Sequence, residues 1–137
     1  MAYGKELILD LYHCDSKTFN RKSLKVYFKG LCEVIDMEPC KLVFWDDRWT
    51  WLWKLIRFWD KTVQTANEPH TKGTSAVQFI LTSNITIHTL DLLGECYINI
   101  FSCKDFNTDE AFNFTARWFK ALEYDNLVVM RGKRSKK

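Results

Sequence analysis

Residues 73–103 read GTSAVQFILTSNITIHTLDLLGECYINIFSC. Val, Ile, Phe and Thr gather in three short runs, 76–82, 85–89 and 96–102, two of which alternate visibly between apolar and polar. Branched and aromatic side chains at a period of two suit a pleated surface. The runs therefore predict adjacent strands of one antiparallel sheet.

Working outward, residues 6–12 alternate and read as a further strand. After Asp15-Ser16, the positions Leu24, Phe28, Leu31, Cys32 and Ile35 recur at helical spacing. Residues 41–45 form a short strand bounded upstream by Pro39. Downstream, Asn107 with Glu110 three residues on has the form of a capping box. It precedes Ala111, Phe114, Trp118, Phe119 and Leu122 at helical spacing, and 127–130 reads as a closing strand. The order β-α-β, then β-β-β-α-β, predicts an α+β fold, a two-layer α/β sandwich with two helices on one face of a mainly antiparallel sheet. Many strand residues are apolar on both faces, so the second face calls for a partner sheet from a second copy of the chain, a homodimer.

A chain of 137 residues, 47% apolar and 27% charged, is sized for one core, and we expect a single domain over 1–137. Its apolar runs are too short to span a bilayer and no signal pattern opens the chain; a cytoplasmic protein without membrane insertion is expected. Cys14, Cys32, Cys40, Cys96 and Cys103 form no CxxC pair, so neither a disulfide framework nor a metal site is suggested. The net charge of +3 is concentrated in a basic tail, 131–137, of the kind that is usually solvated. A Trp-rich insert, about 46–72, carries Trp49, Trp51, Trp53 and Trp59, with Thr50, Lys54, Arg57 and Lys61 on a narrow polar stripe. A helix packed at an interface or over the core, a lid, or a membrane-surface helix all fit it; 62–72 reads as a loop.

Chemically useful side chains are densest within the quoted stretch. On a continuous strand Ser83 and His88, five residues apart, face opposite sides. A hydrolase triad with Asp91 is disfavoured, since there is no GxSxG elbow and its members would lie within nine residues. Nucleic-acid binding is discounted, because the glycine-aromatic pattern of RNA-binding sheets is absent and the charge is modest.

Thr82-Ser83-Asn84, Ile87-His88-Thr89 and Phe101-Ser102-Cys103, with the opening Leu9-Asp10-Leu11-Tyr12-His13-Cys14-Asp15, resemble the bacterial and archaeal S-adenosylmethionine decarboxylase proenzymes. There the corresponding motifs are Glu-Ser-His, Ile-His-Thr and Phe-Thr-Cys at the same spacing. The resemblance implies the sandwich fold, two subunits with their sheets together, and a chain that cuts itself at Thr82-Ser83. By position it makes Ser83 the precursor of a pyruvoyl cofactor, His88 the base for elimination, Ser75 a processing aid and Cys103 the acid that protonates the product carbon. A pyruvoyl ketone condenses with the substrate amine and takes up the electrons left by CO₂.

The activity so implied is that of a pyruvoyl-dependent carboxy-lyase, an S-adenosylmethionine decarboxylase serving spermidine synthesis. The chain departs from the family at Thr82 (for Glu), Asn84 (for His) and Leu90-Asp91-Leu92 (for Trp-Pro-Glu), which leaves Asp91 as the carboxylate offered to the substrate. Two alternatives follow from these departures: a pyruvoyl-dependent arginine or ornithine decarboxylase, and an uncleaved, non-catalytic homologue that binds a ligand.

Overall fold

The computed structural model describes residues 2–46 and 69–132. The expectations for Trp49, Trp51, Trp53, Trp59, Thr50, Lys54, Arg57 and Lys61, and for 133–137, lie outside the described residues. The strands are β1 (Gly4–Tyr12), β2 (Pro39–Asp46), β3 (Thr74–Ile80), β4 (Ser83–Leu90), β5 (Glu95–Ser102) and β6 (Glu123–Arg131), with helices α1 (Arg21–Val34) and α2 (Thr108–Phe119). They form one sheet in the order β2-β3-β4-β5-β1-β6, antiparallel at every pairing. The α+β sandwich expected from periodicity is the fold observed.

Alternation decides which residues meet the helices. Leu7, Leu9 and Leu11 of β1, Ile85 and Ile87 of β4, and Cys96, Ile98 and Ile100 of β5 are buried, while their sequence neighbours are largely half-buried. Helix α1 answers with Leu24, Tyr27, Phe28, Leu31 and Cys32, all fully buried, a stripe at 3- and 4-residue spacing. Asn20 caps it, its Oδ1 accepting from Ser23 N–H at 2.9 Å. Helix α2 is capped as its sequence predicts, Asn107 Oδ1 accepting from Asp109 and Glu110 N–H. Between the helices Tyr27 packs against Phe28, Phe114, Trp118 and Phe119, and its hydroxyl shares a hydrogen bond with Thr115 Oγ1 at 3.0 Å. That bond spares the buried phenol the cost of an unmet polar group.

Several boundaries differ from the periodicity, most of all that of β6, which begins at Glu123, four residues before the expected 127, because it pairs with β1 along its whole length. Helix α2 ends at Phe119, because Lys120 takes a left-handed φ of 52° and turns the chain, which leaves Leu122 exposed. Strand β2 begins at Pro39 itself; as the first residue of the strand, proline needs no ladder donor. Strand β3 stops at Ile80, two residues earlier than its composition suggests.

The second sheet face carries Glu6, Ile8 and Asp10 of β1, Val77 and Phe79 of β3, Thr86 and His88 of β4, and Tyr97, Asn99 and Phe101 of β5. No described helix covers it. No helix among the described residues is long and apolar enough to cross a membrane.

Gly73 enters β3 under the end of β4. A Cβ built there would lie 1.6 Å from Thr89 O and 2.6 Å from Thr89 C, so a side chain requires the two strands to part. Gly73→Ala is expected to cost about 1–3 kcal/mol, as overpacked sites do, and to lower Tm by several degrees in a thermal melt. An unchanged melt would contradict this contact.

Candidate functional site

Ile80 pairs with Ser83 across β3 and β4, so Leu81 and Thr82 form a two-residue hairpin turn. Thr82 has φ 67°. A left-handed backbone at that place is ordinarily given to glycine or asparagine, and a β-branched residue held there stores about 1–3 kcal/mol of strain. The turn is tied down by Leu81 N–H, which donates to Glu38 O at 3.1 Å.

Ser83 opens β4 with its side chain turned to the helix side and 9% exposed. Because β4 and β5 pair with Asn84 opposite Phe101, the chain leaving β5 brings Cys103 beside the turn. Cys103 N–H donates to Ser83 Oγ at 3.1 Å, and the Ser83 hydroxyl points to Cys103 Sγ at 3.8 Å. Thr82 Oγ1 is 2.9 Å from the same sulfur and 2.6 Å from Leu81 O. The hydrogen bonds from Thr82, then Ser83, pull the Cys103 thiol below its ordinary pKa.

Next to this cluster an open cavity of about 720 Å³ runs between α1 and the hairpin, lined by residues that include Lys29, Glu33, Asp36, Glu38, Thr82 and Lys104. Lys104 Nζ is taken up by Asp36, through its carbonyl at 2.7 Å and its carboxylate at 2.6 Å.

Ser75 and His88 form a separate pair. They are directly opposed in β3 and β4, with Ser75 Oγ 2.6 Å from His88 Nδ1. Both are half-buried on the second face, beside Tyr97, which opposes His88. Tyr97 donates to Glu95 at 2.6 Å, and that bond to a carboxylate raises its pKa. Asp10 opposes both Tyr97 and Asp125; its carboxyl is raised first by burial and then by the Asp125 charge.

Four of the expected site residues thus fall into two pairs, Ser83 with Cys103 and Ser75 with His88. Within one chain β4 separates the pairs by five residues, about 16 Å at 3.3 Å per residue, and by the thickness of the sheet. Asp91 lies past the far end of β4, 3.5 Å from Thr89 Oγ1, at the end of the strand that holds His88. Thr82 is more than a flank of the bond that the resemblance expects to be cut, since its hydroxyl touches the sulfur. That contact depends on register across three strands, which no local signal in the sequence reports.

A profile of the S-adenosylmethionine decarboxylase family matches residues 5–132. The chain belongs to this family. Its sequence is 21% identical over 132 residues to the S-adenosylmethionine decarboxylase proenzyme of Acidithiobacillus ferrooxidans, covering 96% of this chain and 84% of that protein. Its fold matches the crystal structure of the adenosylmethionine decarboxylase from Aquifex aeolicus VF5 with a TM-score of 0.72, at 14% identity, over 99% of this chain and 96% of that one. At such identity the structural likeness speaks for the fold.

Burial pushes the thiols of Cys14 and Cys32 up to about 11 and raises that of Cys96 well above the ordinary range, in contrast to Cys103. Since the thiolate is the reactive form, iodoacetamide at pH 8 should alkylate Cys103 well before these three. Peptide mapping over a time course reads the order; Cys103 reacting no faster than Cys14 would contradict the hydrogen-bonding described.

Proposed function

We propose that the chain is a self-processing, pyruvoyl-dependent decarboxylase that cuts itself at Thr82-Ser83 and acts on S-adenosylmethionine, supplying spermidine synthesis. The observation that carries the reading is the buried Ser83 hydroxyl, placed directly after a strained turn and in contact with Cys103. An attack within the chain gains the large effective molarity of fixed geometry. The residues present fit the group: Ser83 is the source of a pyruvoyl unit, and Cys103 supplies a thiol beside it. Such a unit provides an electron sink for the carbanion left as CO₂ departs. Cys103, the proton donor nearest residue 83, returns a proton to the product carbon.

His88 cannot serve Ser83 of its own chain across about 16 Å of continuous strand. Ser75 and His88 instead face a second copy, and the uncovered face, with Val77, Phe79, Phe101 and Ile8, favours a homodimer packed sheet to sheet. His88, oriented by Ser75, then abstracts the proton that drains the ester in the other subunit. Asp10, Glu95 and Asp125 give the same face a negative potential that suits a cationic amino acid. They support S-adenosylmethionine, and equally arginine or ornithine, the alternative substrates; Asp91 is the further carboxylate at that end. We assign no nucleic-acid partner and place the reaction in the cytoplasm.

Release of labelled CO₂ tests the reading. Wild type should decarboxylate carboxyl-labelled S-adenosylmethionine faster than arginine or ornithine, and Ser83→Ala and His88→Ala alone should be inactive. Chains carrying these two changes, produced together, should regain roughly a quarter of wild-type activity, because random pairing makes half the dimers mixed with one competent site each. Faster arginine or ornithine turnover would select the alternative substrate. No recovery in the mixed dimers would reject the shared site, and no CO₂ from any of the three substrates would reject the enzyme.

A further inference from the structure

We propose that Cys103 takes the Ser83 hydroxyl proton in the step that turns the Thr82–Ser83 amide into an ester, with the Thr82 hydroxyl as the positioning group that readies the sulfur. The proposal rests on the self-processing reading and adds a step to it, in which Cys103 acts before any substrate arrives.

The geometry around Ser83 Oγ leaves this role to the sulfur. Oγ accepts from Cys103 N–H at 3.1 Å, which fixes one lone pair, and its own proton is directed to Cys103 Sγ at 3.8 Å. Catalytic hydrogen bonds are often long before reaction and tighten during it. His88 of the same chain projects from the opposite face of β4 and is bonded to Ser75, and the His88 that the dimer reading brings to Ser83 from a second copy is assigned the later step, loss of the proton that drains the ester.

Thr82 has one hydroxyl proton and two acceptors within reach, Leu81 O at 2.6 Å and Cys103 Sγ at 2.9 Å. While the sulfur is a thiol, that proton satisfies Leu81 O and the thiol can donate to Thr82. When the sulfur is a thiolate, the Thr82 proton turns to it. The hydroxyl therefore favours the anion, in keeping with the lowered thiol pKa. The charged groups facing this end are Lys29 and Glu33 of α1, Asp36 and Glu38 between α1 and β2, and Lys104, with Asp105 and Lys5 beyond. Lys104 is bound to Asp36 and Lys5 to Asp105, and the hydrogen bonds from Thr82 and Ser83 come first among the thiolate's supports.

The step balances without a co-reactant. The Cys103 thiolate removes the Ser83 proton as the Oγ–C bond to the Thr82 carbonyl carbon forms. The C–N bond then breaks, and the Ser83 nitrogen takes the same proton back from the thiol. An amide becomes an ester plus an amine, and the thiolate is restored.

The test is the pH dependence of cutting, followed by intact mass in wild type, Cys103→Ala, Cys103→Ser, Thr82→Val and Thr82→Ser. The wild-type rate should rise with pH through the thiol titration and level off. Cys103→Ala and Cys103→Ser should each slow the cut by about 10²–10⁴-fold, the range of general-base catalysis, and lose that titration. Thr82→Val should move the midpoint to higher pH, and Thr82→Ser should restore it. In an uncut Ser83→Ala background, adding Thr82→Val should likewise raise the midpoint for Cys103 alkylation.

Both Cys103 variants cutting at the wild-type rate and midpoint would overturn the inference while leaving self-processing intact. Unmoved cutting and alkylation midpoints in Thr82→Val would overturn the positioning role. A wild-type chain that never cuts would overturn the self-processing reading, and this step with it.

Discussion

The period of two along β4 is the constraint on which the site depends. It turns Ser83, Ile85, Ile87 and Thr89 toward the helices and Thr86 and His88 away from them, and the antiparallel ladder with β3 and β5 holds that division rigidly. A slip of one residue would exchange the two sets and put His88 in the core. The ladder also forbids a compact triad within one chain. It gathers Ser83, Thr82 and Cys103 at the β3–β4 turn and leaves Ser75 and His88 on the other face, five residues along β4.

The helix layer makes that ladder stiff. Tyr27, fully buried and bonded to Thr115, ties α1 to α2, and the leucines of α1 and β1 fill the space beneath. At the site end, Ser102 Oγ accepts from Lys104 N–H at 3.0 Å, while Lys104 reaches Asp36 in the turn after α1. The segment carrying Cys103 is therefore braced from the sheet and from the helix. This bracing can hold Thr82 in a backbone region it would not choose, since strain persists only where the surroundings over-determine it.

The layers and most elements were legible in the sequence because alternation and helical spacing are local signals: Leu7, Leu9 and Leu11 announce β1, and Asn107 with Glu110 announces α2. Where a boundary was misplaced, one residue's backbone overrode composition. Thr82 looks like a strand residue and is a left-handed turn; Leu122 continues the helical spacing but follows the left-handed Lys120. Spacing and resemblance single out Ser83, His88, Cys103 and Ser75 as candidates. Their division into two pairs followed in part from the period of two, which already set Ser83 against His88. The contact between Thr82 and Cys103 could not be read, because it requires residues 21 apart to be registered through β3, β4 and β5.

The central claim is that this fold breaks its own backbone between Thr82 and Ser83, and intact mass of the purified wild-type chain after prolonged incubation addresses it most directly. The account predicts a piece ending at Thr82 and a piece beginning at residue 83, the latter lacking a free amine and gaining mass with a ketone-reactive hydrazine. A single uncut mass, with no fraction cleaved by hydroxylamine, would contradict it and leave an uncleaved, ligand-binding homologue in its place.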